Sequence, residues 1–395
     1  MTLPAFEKLT STTIAGLGRV VTGRTPSSKN PHHFGTEYPF ITPTDIDGIH
    51  RSVQTERGLS EEGKQHLSRI VLPVGSTCFV CIGATIGKVC LTDKPSVTNQ
   101  QINSVIVDQE KHDSVFVYYL LTTLKELVKA KAGGAATPIV NKSIFEEIPV
   151  ILPPLETQRE IAGILGAYDD LIENNRRRIA ILEEMARNLY KEWFVHFRFP
   201  GHENVKLVET EHGKIPEGWE WKLVEELLQR VQSGKKYSQR TAKDSGNVPI
   251  LDQGRSGIIG YHNEDAGVKA SEENPIIVFA NHTCYQRLIH FPFSTIQNVL
   301  PFLPSKYCER SIFWLHYATK DIISFNDYKG HWPEFISKRV LVPPRDLAIV
   351  FAEHVEPIEL MIYKLNTKNN LLVKTRDMLL QRLMSPKNEL LEVRP

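Results

Sequence analysis

The chain has 395 residues, of which 41% are hydrophobic and 24% charged, and its formal net charge is +1. That length allows two or three domains with ample cores, and the composition is ordinary for a soluble globular protein. No apolar run reaches the ~18 residues of a membrane span, no secretory signal is evident in MTLPAFEKLT, and five cysteines fit free thiols in a reducing cytoplasm.

Residues 1–152 read as mixed strand and loop. The segments STCFVCIG (76–83) and INSVIVD (102–108) are short and β-branched, as strands are. DSVFVYYLLTTLKELVKA (113–130) reads as a helix with Leu120, Leu124 and Leu127 on one face. Prolines at 149, 153 and 154 stop that segment, and Pro154 with Glu156 and Glu160 suits the start of a long helix running to about Phe197. FRFPGHENVKLVETEHGKIPEGWEW (197–221) has no period and reads as a linker or irregular segment.

The second half repeats this plan. RVVTGRTP (19–26) has a counterpart in RVQSGKKY (230–237), PSVTNQQI (95–102) in PFSTIQNV (292–299), and VILPPLETQREIAGIL (150–165) in VLVPPRDLAIVFAEHV (340–355). The clearest repeat is a seam of residues spaced alternately four and three apart. It comprises Ile161, Leu165, Tyr168, Ile172, Asn175, Ile179, Leu182, Ala186, Leu189 and Trp193. At an offset of 190 residues it recurs as Phe351, Val355, Ile358, Ile362, Leu365, Asn369, Leu372, Arg376, Leu379 and Leu383. A 4-3 alternation keeps one helix edge facing a partner helix. Two arrangements compete: an antiparallel pair within the chain, or helices packed on their own domains or on another protein. An antiparallel pair would match Ile161 with Leu383, Leu165 with Leu379, Ile172 with Leu372 and Leu182 with Ile362. The same register sets Asn175 opposite Asn369, a buried amide pair that would fix alignment at some cost in stability. Gly163, Gly166 and Pro357 predict a break, giving a short helix and then a longer one in each half.

The organisation expected is α+β: two globular α/β domains alternating with two long helices that pair as an antiparallel coiled coil, in a pseudo-twofold internal repeat. The first domain covers 1–152, the first long helix 153–198, and a linker 199–219. The second domain covers 220–342, the second long helix 343–385, and a C-terminal tail 386–395.

Catalytic patterns are scarce. GATIGKV (83–89) has too few residues between its glycines for a phosphate loop and lacks the Ser/Thr that would hold magnesium. Cys78 and Cys81 would point to opposite faces of a strand, so no metal site is expected from them. His32 and His33 sit in a polar loop and are expected to be solvated. A nuclease centred on Asp45, Glu62 and Lys64 is one alternative, and a helical dimerisation scaffold binding non-DNA ligands is another.

What recurs at matching places in both halves is a set of polar, basic and aromatic loops. Arg and Lys neutralise phosphates, while Asn, Gln and Arg can address base edges. The first half offers Arg24, Thr25, Ser28, Lys29, Asn99, Gln100 and Lys131 as DNA-binding candidates. The second offers Lys235, Lys236, Tyr237, Arg240, Arg255, His282, Tyr285, Arg287 and Lys329.

The junction GGAATPIVNKSIFEEIPVILPPLETQREIAGIL (133–165), with the TGRTP loop and the TNQQIN strand, resembles the specificity subunit of a Type I restriction-modification enzyme. The resemblance covers nearly the whole chain. PPRDLAIVF departs from it, lacking the Glu and Gln of PPLETQREI, so contacts made by Glu156 and Gln158 do not carry over to the second half. The resemblance implies two target-recognition domains, each reading one half of a bipartite, asymmetric site in double-stranded DNA. Two such domains on one duplex face would contact half-sites about one turn, ~34 Å, apart. It implies helices that act as a ruler and dock two methyltransferase subunits. It also implies two restriction-translocase subunits, with S-adenosylmethionine, ATP and Mg2+ bound by partners, no catalytic residue or cofactor in this chain, and a cytoplasmic place in defence against foreign DNA.

Overall fold

The structure, a computed structural model, describes residues 9–384 apart from 49, 134–136, 255–256, 307, 309, 326 and 328. The chain divides into two compact units, Met1–Arg176 with Lys368–Pro395 and Arg177–Thr367.

In the first unit, Gly18–Thr22, Ile102–Val107, Thr77–Val80 and Val89–Leu91 form a four-stranded antiparallel sheet in that order. A second sheet orders Phe34–Gly35, Gly58–Leu59, Tyr38–Ile41 and Val97–Thr98, the last two parallel. Cys78 packs in one apolar cluster with Ile41 and Ile102, and Cys81 in another with Phe79 and Phe145. Opposite strand faces separate them, as a period of two requires. The expected 113–130 helix is two pieces, Ser114–Thr123 and Lys125–Ala130, meeting at Leu124. Its N-terminus is capped by Asp113, which accepts from the Phe116 N–H at 2.9 Å. Leu120 is buried as expected, but Leu127 is exposed because the turn at Leu124 rotates it away from the core.

The second unit repeats the first of these sheets strand for strand and three strands of the other, whose fourth, Lys236–Tyr237, lies at the opposite edge from Phe34–Gly35. Leu228–Arg230, Val299–Pro304, Ile276–Ala280 and Gln286–Ile289 form one, and Lys236–Tyr237, Ser294–Ile296, Val248–Leu251 and Ile258–His262 the other. In both units a two-stranded ribbon leads into the long helix: Thr10–Thr13 with Pro149–Leu152, and Glu220–Leu223 with Arg339–Val342. The segment expected to be an irregular linker holds a hairpin, Leu207–Thr210 with Gly213–Pro216, because Gly213 at φ 102° supplies a tight turn. Among the described residues, no helix is long and apolar enough to cross a membrane.

The long helices run Leu155–Tyr190 and Arg345–Leu383. Neither breaks where a break was expected. Gly166 lies against the Arg51 side chain, whose Nη1 would sit 3.3 Å from an added Cβ. Pro357 is on the exposed face, so the carbonyl it strands, that of the exposed Glu353, stays open to water. The first helix ends earlier than Phe197, passing through a π-helical turn at Lys191–Val195 before Phe197 adopts φ 58°.

Every seam position on both helices is buried or half-buried. Each fully buried Leu or Ile there contributes about 1.5–3 kcal/mol. The pairing is antiparallel. Leu383 packs in the cluster of Ile161 and Leu165, and the Asn175 Nδ2 donates to Asn369 Oδ1 at 2.8 Å. Arg376, the charged member of the seam, donates from Nη1 to Asp169 at 2.6 Å, and Asp169 also accepts from the Tyr119 hydroxyl at 2.5 Å.

The start of each long helix is tied down by a different residue. Gln158 is buried, donates to the Pro153 carbonyl at 2.9 Å and accepts from the Asp113 N–H at 3.1 Å. In the second unit Ala348 stands where Gln158 would be, and the Arg310 Nε donates to the equivalent carbonyl, Pro343, at 2.9 Å. The carbonyl must be satisfied either way, and a donor from the preceding loop replaces one from the helix.

Candidate nucleic-acid interface

In the first unit the basic loop leaves the strand Gly18–Thr22 beside the turn that follows Val97–Thr98. Gly23 N–H donates to Ile102 O at 3.1 Å and Arg24 N–H to Thr98 O at 2.8 Å. Gly23 is required there, since a Cβ would stand 2.2 Å from the Asn99 carbonyl oxygen. The Thr25 hydroxyl donates to the Gln100 side chain at 2.7 Å, so Arg24, Thr25 and Gln100 share one exposed surface. Ser28 and Lys29 follow, both exposed. Lys131 is exposed at the end of the helix Lys125–Ala130.

Asn99 departs from its expected role. It is only 9% exposed, and its amide is turned back on Gln101, bonding the side chain at 3.0 Å and the N–H at 3.1 Å. Both ends of the amide are engaged within the turn, so Asn99 shapes the loop that presents Gln100.

The second unit uses the same junction of strands. Lys236 and Tyr237 form a short strand parallel to Thr295 and Ile296. Lys235 is exposed and bonded to Glu264 at 2.8 Å, and that hydrogen bond raises its pKa while lowering that of Glu264. Lys236 is less free than expected. Its ammonium donates to Ser233 and, at 2.8 Å, to Thr295, and partial burial with the charge of Arg230 lowers its pKa. Tyr237 is 7% exposed and stacks on His262 with ring centroids 4.2 Å apart, its hydroxyl reaching Glu264 at 3.1 Å. Tyr237 is therefore a packed platform rather than a free stacking ring. Arg240 is exposed nearby in sequence.

A second group gathers His282, Tyr285, Arg287 and Lys329. His282 is half-buried, its N–H donating to the Gln253 side chain at 2.8 Å and its Nδ1 meeting the Lys329 carbonyl at 2.8 Å. Its Nε2 lies 3.0 Å from the Asn298 amide, and Asn298 holds φ 65°. Arg287 is not a free cation either. It donates from Nη2 to Asp252 O at 2.6 Å, packs 5.9 Å from the Tyr285 ring, and has its pKa lowered chiefly by burial. Tyr285 is 38% exposed, and Lys329 is exposed beside Asp327 at 3.2 Å. Arg255 lies outside the described residues.

Among the candidates Arg24, Lys29, Lys131, Lys235, Arg240 and Lys329 are exposed, Lys236 is exposed with its ammonium bonded to Ser233 and Thr295, and His282 and Arg287 build the loops. Glu264, which joins Lys235 to Tyr237, is not among the candidates, and Gln253, from a loop the sequence does mark as polar, pins the His282 backbone. Their signal is weak, since nothing in HNE or DQG marks the fold-back that brings each to its partner.

The carboxylates of the nuclease alternative have separate partners. Asp45 accepts from the Thr42 N–H and hydroxyl at 2.7 Å, whereas Lys64 donates to Tyr38 at 2.9 Å and Glu61 at 3.3 Å. Glu62 instead faces His32 and His33 at 3.4 and 3.8 Å.

A family profile described as the Type I restriction modification DNA specificity domain matches residues 7–184. Those residues match the Type I restriction-modification DNA specificity domain family. Along 94% of its length it is 28% identical to the specificity subunit of the Type I restriction enzyme MjaIX of Methanocaldococcus jannaschii, 91% of which is covered. It is 37% identical to the HindI specificity subunit of Haemophilus influenzae, over 41% of this chain and 37% of that protein. The solved structure of a Type I restriction-modification system S subunit from M. genitalium covers 98% of this chain and 99% of that one. Its TM-score is 0.60 at 16% identity, a likeness of fold.

Proposed function

We propose that each half of the chain reads one half of a bipartite, asymmetric DNA site, and that the long helices dock methyltransferase subunits. The observation that carries the first part is the recurrence of one arrangement: a basic loop held against the end of a parallel strand, at Arg24 with Thr98 and at Lys236 with Thr295. A shared scaffold with different side chains suits two half-sites of different sequence. Exposed cations give phosphate affinity, and neighbouring Gln and Tyr residues are placed to address bases.

The docking part rests on exposed apolar side chains that repeat along the helices. Leu171 and Ile181 on the first helix are 40% and 57% exposed, and Met361 and Leu371, at the 190-residue offset, are 45% and 65% exposed. Large apolar side chains repeated at equivalent exposed positions favour a pair of similar partners. On this reading S-adenosylmethionine sits on two methyltransferase subunits, and ATP and Mg2+ on two restriction subunits. Adenine methylation and cleavage then take place there, inside the cytoplasm.

The test is to map methylated adenines across a genome with and without this gene, in a host supplying the methyltransferase. The expected result is a bipartite motif present only with the gene. Gel shifts with and without that partner separate DNA recognition from a scaffold role. If alanine at Arg24, Lys29, Lys235, Arg240 and Lys329 together leaves binding intact, the interface lies elsewhere.

A further inference from the structure

We propose that His32, His33 and Glu62 form a divalent transition-metal site, of the kind that takes zinc, in the first unit. The sequence reading treats the two histidines as solvated, yet His33 is only 5% exposed. Its ring is stacked on His66 at 4.6 Å, and its Nδ1 is buried without a hydrogen-bond partner. Its Nε2 faces Glu62 Oε1 at 3.8 Å, beyond hydrogen-bond length, and His32 Nε2 faces the same oxygen at 3.4 Å. One ligand atom from each of the three residues lies within 4.8 Å of the others. Tetrahedral ligands ~2.1 Å from a metal are ~3.4 Å apart, so the two measured separations need little closing. Two imidazoles and a carboxylate suit zinc, cobalt or nickel, and the exposure of His32 and Glu62 leaves a coordination position open to water.

The backbone holds these residues together before any ion arrives. His32 and His33 end a 3-10 turn, Pro31–His33, and Glu62 lies in the first turn of the helix Glu61–His66. Ser60 joins the two. Its N–H donates to His33 O at 3.1 Å, its hydroxyl to His32 O at 2.6 Å, and the same oxygen caps the helix by accepting from Gly63 N–H at 3.1 Å. Gly63 permits this approach, because a Cβ there would stand 2.0 Å from the His33 carbonyl oxygen. Preorganisation of this kind is what a metal site needs from its scaffold. The 3-10 turn also terminates the loop of Ser28 and Lys29, with His33 N–H bonded to Asn30 O at 3.1 Å, so a bound ion would clamp one end of that basic loop.

The test uses the untagged full chain, stripped with EDTA and titrated with Co2+ while the visible absorption of four-coordinate cobalt is followed. The expected result is saturation at one equivalent, displacement by Zn2+, and a loss of affinity of more than ~10-fold in Glu62→Gln and in His32→Ala. Both replaced side chains are largely exposed, and unchanged metal-free melting temperatures will establish that the variants fold. Absence of a stoichiometric cobalt band overturns the proposal. So does a band undiminished in both variants, which would place the ion among the other histidines of the 14 in the chain. DNA binding enters neither arm, so this result stands or falls apart from the recognition role.

Discussion

The two units carry the same helix seam, but the first places an amide pair and an arginine where the second has apolar side chains. Asn175 and Asn369 meet in the first unit; their equivalents at the 190-residue offset are Leu365 and Ile179, which the same antiparallel register sets opposite each other. Asp169 is bonded to Tyr119 and Arg376; its equivalent Glu359 is bonded to Tyr317, and the place of Arg376 is taken by the fully buried Ala186. Polar pairs punish misalignment, because a slip of one turn strands buried amides and charges. Apolar pairs tolerate a slip but bury more surface. Register is therefore written into the first unit, and the second contributes packing.

The largest expected effect comes from breaking the ion pair. Arg376→Met leaves the Asp169 carboxylate buried with the Tyr119 hydroxyl and the more distant Arg51 charge, and should cost about 3–5 kcal/mol in denaturant unfolding. Ala186→Arg in the second unit should not rescue it, since its partner there is Glu359. Next, Asn175→Leu alone strands Asn369 and should cost about 1–3 kcal/mol, whereas Asn175→Leu with Asn369→Ile copies the second unit's pairing and should recover most of that loss. A double variant as unstable as the single would break the comparison.

Glu359 gives a pH-dependent contrast. Burial raises its pKa above the ordinary 4.5, against the opposing hydrogen bond from Tyr317. A raised folded-state value means the contribution is fully present below the unfolded pKa and lost as pH rises through the folded one. Glu359→Gln, whose amide can still accept from Tyr317, should therefore be no more stable than the parent in acid and progressively more stable towards neutral pH. Chemical denaturation of both proteins at a series of pH values checks this. The smallest effect concerns the basic loops. Lys235→Ala should weaken DNA binding across sequences and reduce the salt slope by about one. Glu264→Gln, by releasing Lys235 from its ion pair, should strengthen binding at low salt. Equal salt slopes in parent and Lys235→Ala would remove Lys235 from the interface.

Much of this was legible before the fold was known, for stated reasons. Heptad spacing is local and periodic, so the seam follows from residue order, and so does the facing of Asn175 and Asn369 once an antiparallel pair is assumed. The duplication follows from matched segments such as RVVTGRTP and RVQSGKKY. Less legible were positions whose state depends on distant neighbours. Leu127 is apolar at helical spacing yet exposed, because Leu124 ends one helix and starts another. Pro357 is a helix breaker by type, yet the helix continues because its solvent side needs no hydrogen bond.

The candidate interface divides the same way. Residue types alone picked the loops at Arg24 and at Lys236, which do lie against strand ends. They could not separate Lys235, whose ammonium pairs with Glu264, from the equally exposed Lys236, whose ammonium is held by Ser233 and Thr295. Nor could they foresee that the Asn99 amide folds back on Gln101, or that Arg310 would satisfy the carbonyl that Gln158 satisfies in the other unit. By itself the sequence determined the repeat, the helix seam and the loops that carry charge, since periodicity and composition are properties of neighbours along the chain. Only the tertiary structure decided which of those side chains face water and which are bound inside, because hydrogen bonds between residues as far apart as Lys236 and Thr295 exist only once the sheets have formed.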